Sequence, residues 1–328
     1  MKKEIGVVLA TYNGEKYLKD QIQSILNQSC PPDYLVISDG GSSDNTVQVC
    51  QDVLKGQNLS FKILVSEEQL KVSENFERGL RHCKGDYIFF CDQDDYWLPN
   101  KIESVVKAFE KDEEIVMVFT NAELVDENLS PLGQDLWNSI SFSPNTDLLF
   151  EMNDEIYMKE LCRHNIVTGM CLAIKSSIID DLLPFSLNGI HDVWIAHISI
   201  TLGKVYALNE KTVLYRQHSN NVVGATSSIA GSLSHMDGYY GRVLKRYNFI
   251  VDVISRITVV EDHYLNYYAN YQRFIEERMK FLQGNRSFWF IFQNLENYSR
   301  FEHRYKQIIL KDLIINRKIS RKEKGTCQ

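Results

Sequence analysis

Short apolar runs alternate with amphipathic stretches through the first 120 residues. IGVVLA is followed by YLKDQIQSILNQ, YLVISD by NTVQVCQDVLKG, FKILVS by ENFERGLRHC and DYIFFC by LPNKIESVVKAFEKD, with IVMVFTN closing the series. Apolar runs of about five residues separated by helical periodicity predict strands buried on both faces, joined by crossover helices. The expected fold is α/β with a doubly wound, mostly parallel sheet, whose ligands bind beyond the carboxyl ends of the strands.

Those ends carry polar residues: Thr11, Tyr12, Asn13, Gly14 and Glu15 after the first strand, Asp39 to Asp44 after the second, Asp92 to Asp95 after the fourth. There is neither a GxGxxG after the first strand nor a GxxxxGK[ST] anywhere, so a dinucleotide fold and a P-loop are both unsupported. Residues 121 to 190 read as irregular, with Pro131, Pro144 and Pro184, before the short strand pattern VTGMCLAIK. A helix over HDVWIAHISITLG, a β-rich pair KVYALNE and TVLYRQH, and helices from about residue 235 complete the pattern.

The composition suits a globule: 328 residues, 44% hydrophobic and 24% charged. The formal charge of −7 hides an asymmetry, because residues 241 to 328 hold 17 Lys/Arg against 9 Asp/Glu and the rest is strongly acidic. An acidic main body argues against nucleic acid as a partner. Seven cysteines without a CxxC pair predict reduced core residues rather than a zinc site. No run approaches the roughly 20 apolar residues of a membrane span, and MKKEIGVVLATYNG is too quickly polar for a signal peptide, so a cytoplasmic protein is expected.

Two carboxylates one residue apart, as in DQDD, can hold a hard divalent cation that keeps positions open for phosphate oxygens. The same residues also suit a solvated helix N-terminus, since LPNKIESVV follows. ISDGGSSDNT combines Asp39 with two glycines and the capping pair Ser43 and Asp44, IHDVW sets Asp192 at a helix start where it can serve as a base, and YRQHSNNVVG offers His218 as a metal ligand or phosphate donor.

Taken in order, LATYNGEKYL, ISDGGSSDNT, NFERGL, GDYIFFCDQDDYWLPNKI, VTGM, HDVW and YRQHSNNVVG resemble the family 2 glycosyltransferases of the GT-A fold. More narrowly, they are similar to bacterial polysaccharide rhamnosyltransferases. The resemblance implies a catalytic domain over residues 1–230, divided into a nucleotide-sugar half (1–120) and an acceptor half (121–230), with a helical module over 231–328. It places Thr11, Tyr12, Asn13, Glu15, Asp39, Asp92 and Gln93 against the nucleotide sugar, Asp94 and His218 on Mn2+ or Mg2+, and Asp192 as catalytic base. Thr168, Gly169, Met170, His191 and Trp194 fall on the acceptor side. One departure is visible: Gly40 stands where the family's second motif usually has a second aspartate.

The activity so implied is metal-dependent, inverting transfer of a sugar from a nucleoside diphosphate to a glycan or lipid-linked glycan in surface polysaccharide synthesis. The donor is dTDP-rhamnose, or a UDP-sugar such as galactose, glucose or N-acetylglucosamine. A non-catalytic nucleotide-sugar-binding protein is the rival from another class. The basic, aromatic C-terminal helices suit peripheral contact with the inner face of the membrane, or packing within a homodimer.

Overall fold

The computed structural model describes residues 3–142, 154–218, 236–257 and 262–325. In chain order the first half runs β1 (Ile5–Thr11), α1 (Leu18–Leu26), β2 (Tyr34–Asp39), α2 (Thr46–Leu54), β3 (Ser60–Val65), α3 (Val72–Leu80), β4 (Tyr87–Cys91), β5 (Tyr96–Trp97), α4 (Lys101–Phe109), β6 (Ile115–Val125), β7 (Pro131–Asp135) and α5 (Leu136–Ser139). It continues α6 (Asp154–Arg163), β8 (Leu172–Lys175), α7 (Ile179–Leu182), α8 (His191–Ser199), β9 (Lys204–Arg216), α9 (Met236–Arg256), α10 (Asp262–Leu282), α11 (Trp289–Gln293), α12 (Leu295–Phe301) and α13 (Tyr305–Gly325). The chain divides into two compact units, one of residues 1–154, 166–185 and 190–227, the other of 155–165, 186–189 and 228–328.

The first unit is built on one sheet of order β3-β2-β1-β4-β8-β6-β9-β5, with β7 paired to β6. β1 and β4 lie inside it and are buried almost throughout, as their unbroken apolar sequences require, whereas β3 at the edge alternates with Lys62 and is largely exposed. β1, β2, β3 and β4 run parallel in the expected manner. IVMVFTN does not continue that parallel series beside β4: β8 is inserted between β4 and β6, antiparallel to both. Local patterning cannot reveal this, because the four-residue strand LAIK arrives 81 positions after β4 ends (residue 172 against 91) and periodicity carries no information about a distant neighbour.

Two other expectations change. KVYALNE and TVLYRQH form one long strand, β9, parallel to β6 with register shifts opposite Thr120 and Asn121 that absorb its apparent break. The stretch read as irregular holds the end of β6 together with β7, α5, α6 and α7 among its described residues.

Helix α3 lies very close to the sheet. A Cβ placed on Gly79 would meet Val8 Cγ1 at 2.5 Å and Ser38 Cβ at 3.3 Å.

The second unit is helical, as the periodicity beyond residue 235 predicts. Its core holds Tyr268, Tyr271, Phe274, Phe281, Tyr298 and Phe301, with the Tyr271 and Phe301 rings stacked at 4.6 Å. Buried in it, Arg278 bonds Asp312 (2.7 Å) and Glu302 (2.6 Å), and Asp312 also accepts from Tyr239 and Tyr298 (2.7 and 2.5 Å). Such a network holds only because every ionised partner is satisfied.

Gly79→Ala is expected to lower stability by about 1–3 kcal/mol through overpacking, despite the ~1 kcal/mol helix-propensity gain of alanine. Thermal melting checks this, and an unchanged or raised Tm would contradict the tight helix–sheet contact.

Candidate active site

The carboxyl ends of β1, β2 and β4 lie side by side, with Thr11 in register with Asp39 and Leu9 with Cys91. Past β1 the chain turns at Asn13, whose φ of +47° is a left-handed position that asparagine tolerates better than most residues. Asn13 N donates to Ser42 Oγ, and Asn13 Oδ1 accepts from Ser43 N, both at 2.8 Å. Glu15 Oε2 accepts from Asn45 N at 3.0 Å, closing the two loops on each other.

Asp39 is buried and accepts from Thr11 Oγ1 (2.9 Å), Ser42 Oγ (2.5 Å), Ser42 N (2.9 Å) and Gly41 N (3.2 Å). Its carboxylate therefore organises the loop after β2. The loop after β4 is joined to β1 by Gln93, whose Oε1 accepts from Tyr12 N (2.8 Å) and whose Nε2 donates to Tyr12 O (3.0 Å).

The acidic run 92–95 is held at both ends, by β4 before it and by β5 after it. β5 pairs with β9 through Tyr96 and Leu214, which brings the end of β9 against the acids. Arg216 N donates to Asp95 Oδ1 (3.1 Å), Arg216 Nε to Asp94 O (2.8 Å) and Arg216 Nη1 to Glu127 O. The guanidinium sits 4.3 Å from the centre of the Tyr17 ring, a cation–π geometry. Two residues on, His218 Nε2 lies 2.9 Å from Asp94 Oδ2, and its ring is 5.0 Å from that of Tyr17. Beyond His218, the remainder of YRQHSNNVVG lies outside the described residues.

Carboxylates crowd here. Burial, then the charges of Asp94 and Asp192, push the Asp92 carboxyl up to about 8, against the opposing hydrogen bond from the Met170 backbone. Asp95, with Oδ2 unmatched by any hydrogen bond among the described residues, is pushed well above the carboxylate range by burial and by Asp94 and Asp92. Beneath the run, Lys101 is buried, with Nζ 3.5 Å from Thr212 Oγ1 and 4.9 Å from the Trp97 ring centre, and burial lowers its pKa.

Helix α8 brings the remaining groups. Asp192, 4% exposed, accepts from Gly169 N at 3.2 Å and from Val193 N at 2.6 Å. His191 is 5% exposed and stacks on Phe76 at 3.9 Å, and neither ring nitrogen has a hydrogen-bond partner among the described residues. A Cβ on Gly169 would meet His191 Nε2 at 2.6 Å and lie 3.8 Å from Asp92 Oδ2. Glycine at 169 thus lets imidazole and two carboxylates converge on one stretch of backbone. Burial depresses the His191 pKa to about 3, so the ring is neutral near pH 7.

Asp92, Asp94, Gly169, Met170, His191, Asp192 and His218 are therefore drawn together by direct contacts or mutual fields, and Thr11, Tyr12, Asn13, Glu15, Asp39 and Gln93 form the adjoining loop system. Thr168 immediately precedes the Gly169 backbone. Trp194 stands apart: it is buried in the core and its Nε1 donates to Leu182 O at 2.7 Å. Arg216, Lys101 and Tyr17 are part of the arrangement yet were not singled out from sequence. For Arg216 a signal existed, since it lies two places before His218 on the strand that brings both to the acids.

Among the described residues no three His, Cys, Asp or Glu side chains form a ready metal cage. One carboxylate and one imidazole facing each other at 2.9 Å nonetheless fit a hard cation that takes its other ligands from water and phosphate oxygens. The donor set suits a metal that arrives with a diphosphate.

The sheet, with its parallel run β3-β2-β1-β4 and the inserted antiparallel β8, has the GT-A type of fold. Residues 6–179, more than half the chain, match the family described as Glycosyl transferase family 2; the protein belongs to that family and is a glycosyltransferase. It is 29% identical over 229 residues to the dTDP-rhamnosyl transferase RfbG of Shigella flexneri, covering 67% of this chain and 75% of that one. An uncharacterised glycosyltransferase of Nostoc is 24% identical over 230 residues, or 69% and 68% of the two chains. In three dimensions the chain is similar to residues 1–349 of Staphylococcus aureus TarS in complex with UDP-GlcNAc, with a TM-score of 0.58, 14% identity and 98% and 92% coverage. It is also similar to the mannosyltransferase PcManGT of Pyrobaculum calidifontis in complex with GDP-Man and Mn2+, with a TM-score of 0.53, 15% identity and 96% and 85% coverage. Those two likenesses concern the fold.

Native His191 refuses a proton until about pH 3, whereas an unfolded imidazole accepts one near ~6.5. The unfolded chain binds more protons between those values, so stability falls as pH falls from about 6.5 toward 3. In His191→Gln the urea-unfolding free energy is expected to lose one proton's share of that pH slope; an unchanged slope would contradict the buried neutral ring.

Proposed function

We propose that the protein is an inverting, metal-dependent glycosyltransferase that moves rhamnose from dTDP-rhamnose to a glycan or lipid-linked glycan acceptor in bacterial surface polysaccharide synthesis. The observation that carries this reading is the joint placement of the Asp94–His218 pair and the Asp192 carboxylate around the end of β4. The rhamnosyl donor is supported by the RfbG relative. UDP-GlcNAc in the TarS complex favours a UDP-sugar as the second reading.

In the proposed reaction the nucleoside lies along the loops of Thr11 to Glu15 and Asp39, with Asp92 and Gln93 toward the ribose. Asp94 and His218 would hold Mn2+ or Mg2+, which would supply positive charge to the leaving diphosphate. The acceptor hydroxyl oxygen attacks the anomeric carbon as the bond from that carbon to the phosphate oxygen breaks and its electron pair leaves on the diphosphate. Asp192 takes the hydroxyl proton. The Gly169 and Val193 N–H groups keep its oxygens oriented.

His191 cannot compete as the base, because a ring that protonates only near pH 3 is too weak at neutrality. Its unmatched nitrogens, beside Thr168, Gly169 and Met170, serve instead as neutral hydrogen-bonding groups toward the acceptor. A lipid-linked acceptor calls for peripheral contact with the inner face of the membrane.

Two variants test the assignment. Asp192→Asn is expected to lower kcat by about 100-fold or more, the usual scale of general-base catalysis, while leaving donor-induced thermal stabilisation intact. Asp94→Asn is expected to abolish the extra stabilisation that Mn2+ gives with dTDP-sugars. Full transfer by the first variant would remove Asp192 as base, and Mn2+ stabilisation persisting in the second would remove Asp94 as ligand.

A further inference from the structure

The segment Phe288 to Leu295 presents three of its four aromatic side chains to solvent. Phe288, Trp289 and Phe292 are 52%, 61% and 56% exposed, and Leu295 beside them is exposed as well. The three rings touch one another, with centroids 5.3 Å (Phe288–Trp289), 5.7 Å (Phe288–Phe292) and 5.5 Å (Trp289–Phe292) apart. They are not a poorly packed piece of core. Between them Phe290 and Ile291 turn inward, and Phe290 stacks on Phe281 at 5.1 Å and meets Tyr298 edge-on at 6.2 Å. One face of the segment is thus anchored while the other projects a contiguous aromatic tip.

The tip has a polar border. A recess of about 350 Å³ beside it is lined in part by Asn285, Arg286, Ser287, Gln293 and Asn294, with Glu277, the ion-pair partner of Arg286, also in its wall. The surrounding sequence is basic: residues 285–325 contain ten Lys/Arg and four Asp/Glu. Of those four acids, Glu302 and Asp312 are buried against Arg278, and Glu296 pairs with Arg300. Arg304, Lys306 and Arg317 are exposed, as is Arg286, which pairs with Glu277.

We propose that Phe288, Trp289 and Phe292 form an insertion tip that seats this unit at the headgroup level of an anionic phospholipid surface. Aromatic rings bordered by hydrogen-bonding groups favour that level of a bilayer, and the excess of exposed cations complements anionic headgroups. A second copy of the chain is the poorer occupant. Three half-exposed aromatic side chains offer on the order of 300 Å², well short of the about 800 Å² per partner that a stable dimer buries. The proposal deepens the lipid-linked-acceptor reading but is tested apart from it, because the experiment reads lipid binding and not sugar transfer.

The test uses the full chain with phosphatidylcholine vesicles, with or without phosphatidylglycerol. The protein has four tryptophans, and Trp97, Trp137 and Trp194 are only 1%, 2% and 2% exposed, so changes in emission on lipid binding report Trp289. Vesicles containing phosphatidylglycerol are expected to shift emission to the blue and shield it from acrylamide, less so at high salt. Co-sedimentation should fall at least tenfold in Phe288→Ser/Trp289→Ser/Phe292→Ser and severalfold in Trp289→Ala, exposed-site changes that leave the melting temperature near that of the parent. No blue shift with anionic vesicles, equal binding to neutral ones, or undiminished binding by the triple variant would overturn the proposal. So would a blue shift that needs only higher protein concentration, which would mark a contact between copies.

Discussion

The contact on which the site depends is the grip of Arg216 on the acidic loop. Asp92, Asp94 and Asp95 follow a strand that cannot move, because β4 is buried and paired on both sides. Left alone, three neighbouring carboxylates would splay apart. Arg216 opposes this from the end of β9, through its backbone N–H on Asp95 and its Nε–H on the Asp94 carbonyl. The same strand then delivers His218 to Asp94. Charge-assisted bonds from one guanidinium to two backbone carbonyls also limit the ways the loop can close.

The electrostatics explain what such a loop is for. Asp92 is raised to about 8 by burial and by its acidic neighbours, and a cation placed among them would lower it again. Asp192 is one of those neighbours, held by two N–H donors. In the proposed reaction a divalent ion with a diphosphate on the Asp94 side, and a hydroxyl on the Asp192 side, would divide the carboxylates between two tasks. That division follows from which atoms already hold each group, since the three aspartates and Asp192 share one chemistry.

Much of this was legible along the chain, for reasons that differ by element. β1, β2 and β4 were visible because buried parallel strands are continuous apolar runs, and their polar ends followed from the fold rule for such sheets. Asp94, Asp192 and His218 stood out only as an ordered set, each being unremarkable alone. The place of β8 between β4 and β6 was not visible, because four residues carry no periodicity that names a partner. Lys101 was hidden for another reason: at a helix start lysine reads as solvated, yet its ammonium is buried near Asp95, Cys91 and Cys171. Trp194, two residues from Asp192 on the same helix, is buried and bonds the Leu182 carbonyl.

The central claim is that the fork of Arg216 holds Asp94 where it can share a cation with His218. The most direct measurement is Mn2+ binding in the presence of dTDP, followed by electron paramagnetic resonance, in the wild-type protein and in Arg216→Lys. Lysine keeps the charge and loses the fork, and losing a hydrogen bond from a charged donor costs about 1.5–3 kcal/mol. The account predicts a folded variant whose Mn2+ affinity falls roughly tenfold or more. A folded Arg216→Lys protein that binds Mn2+ as tightly as the wild type would contradict it.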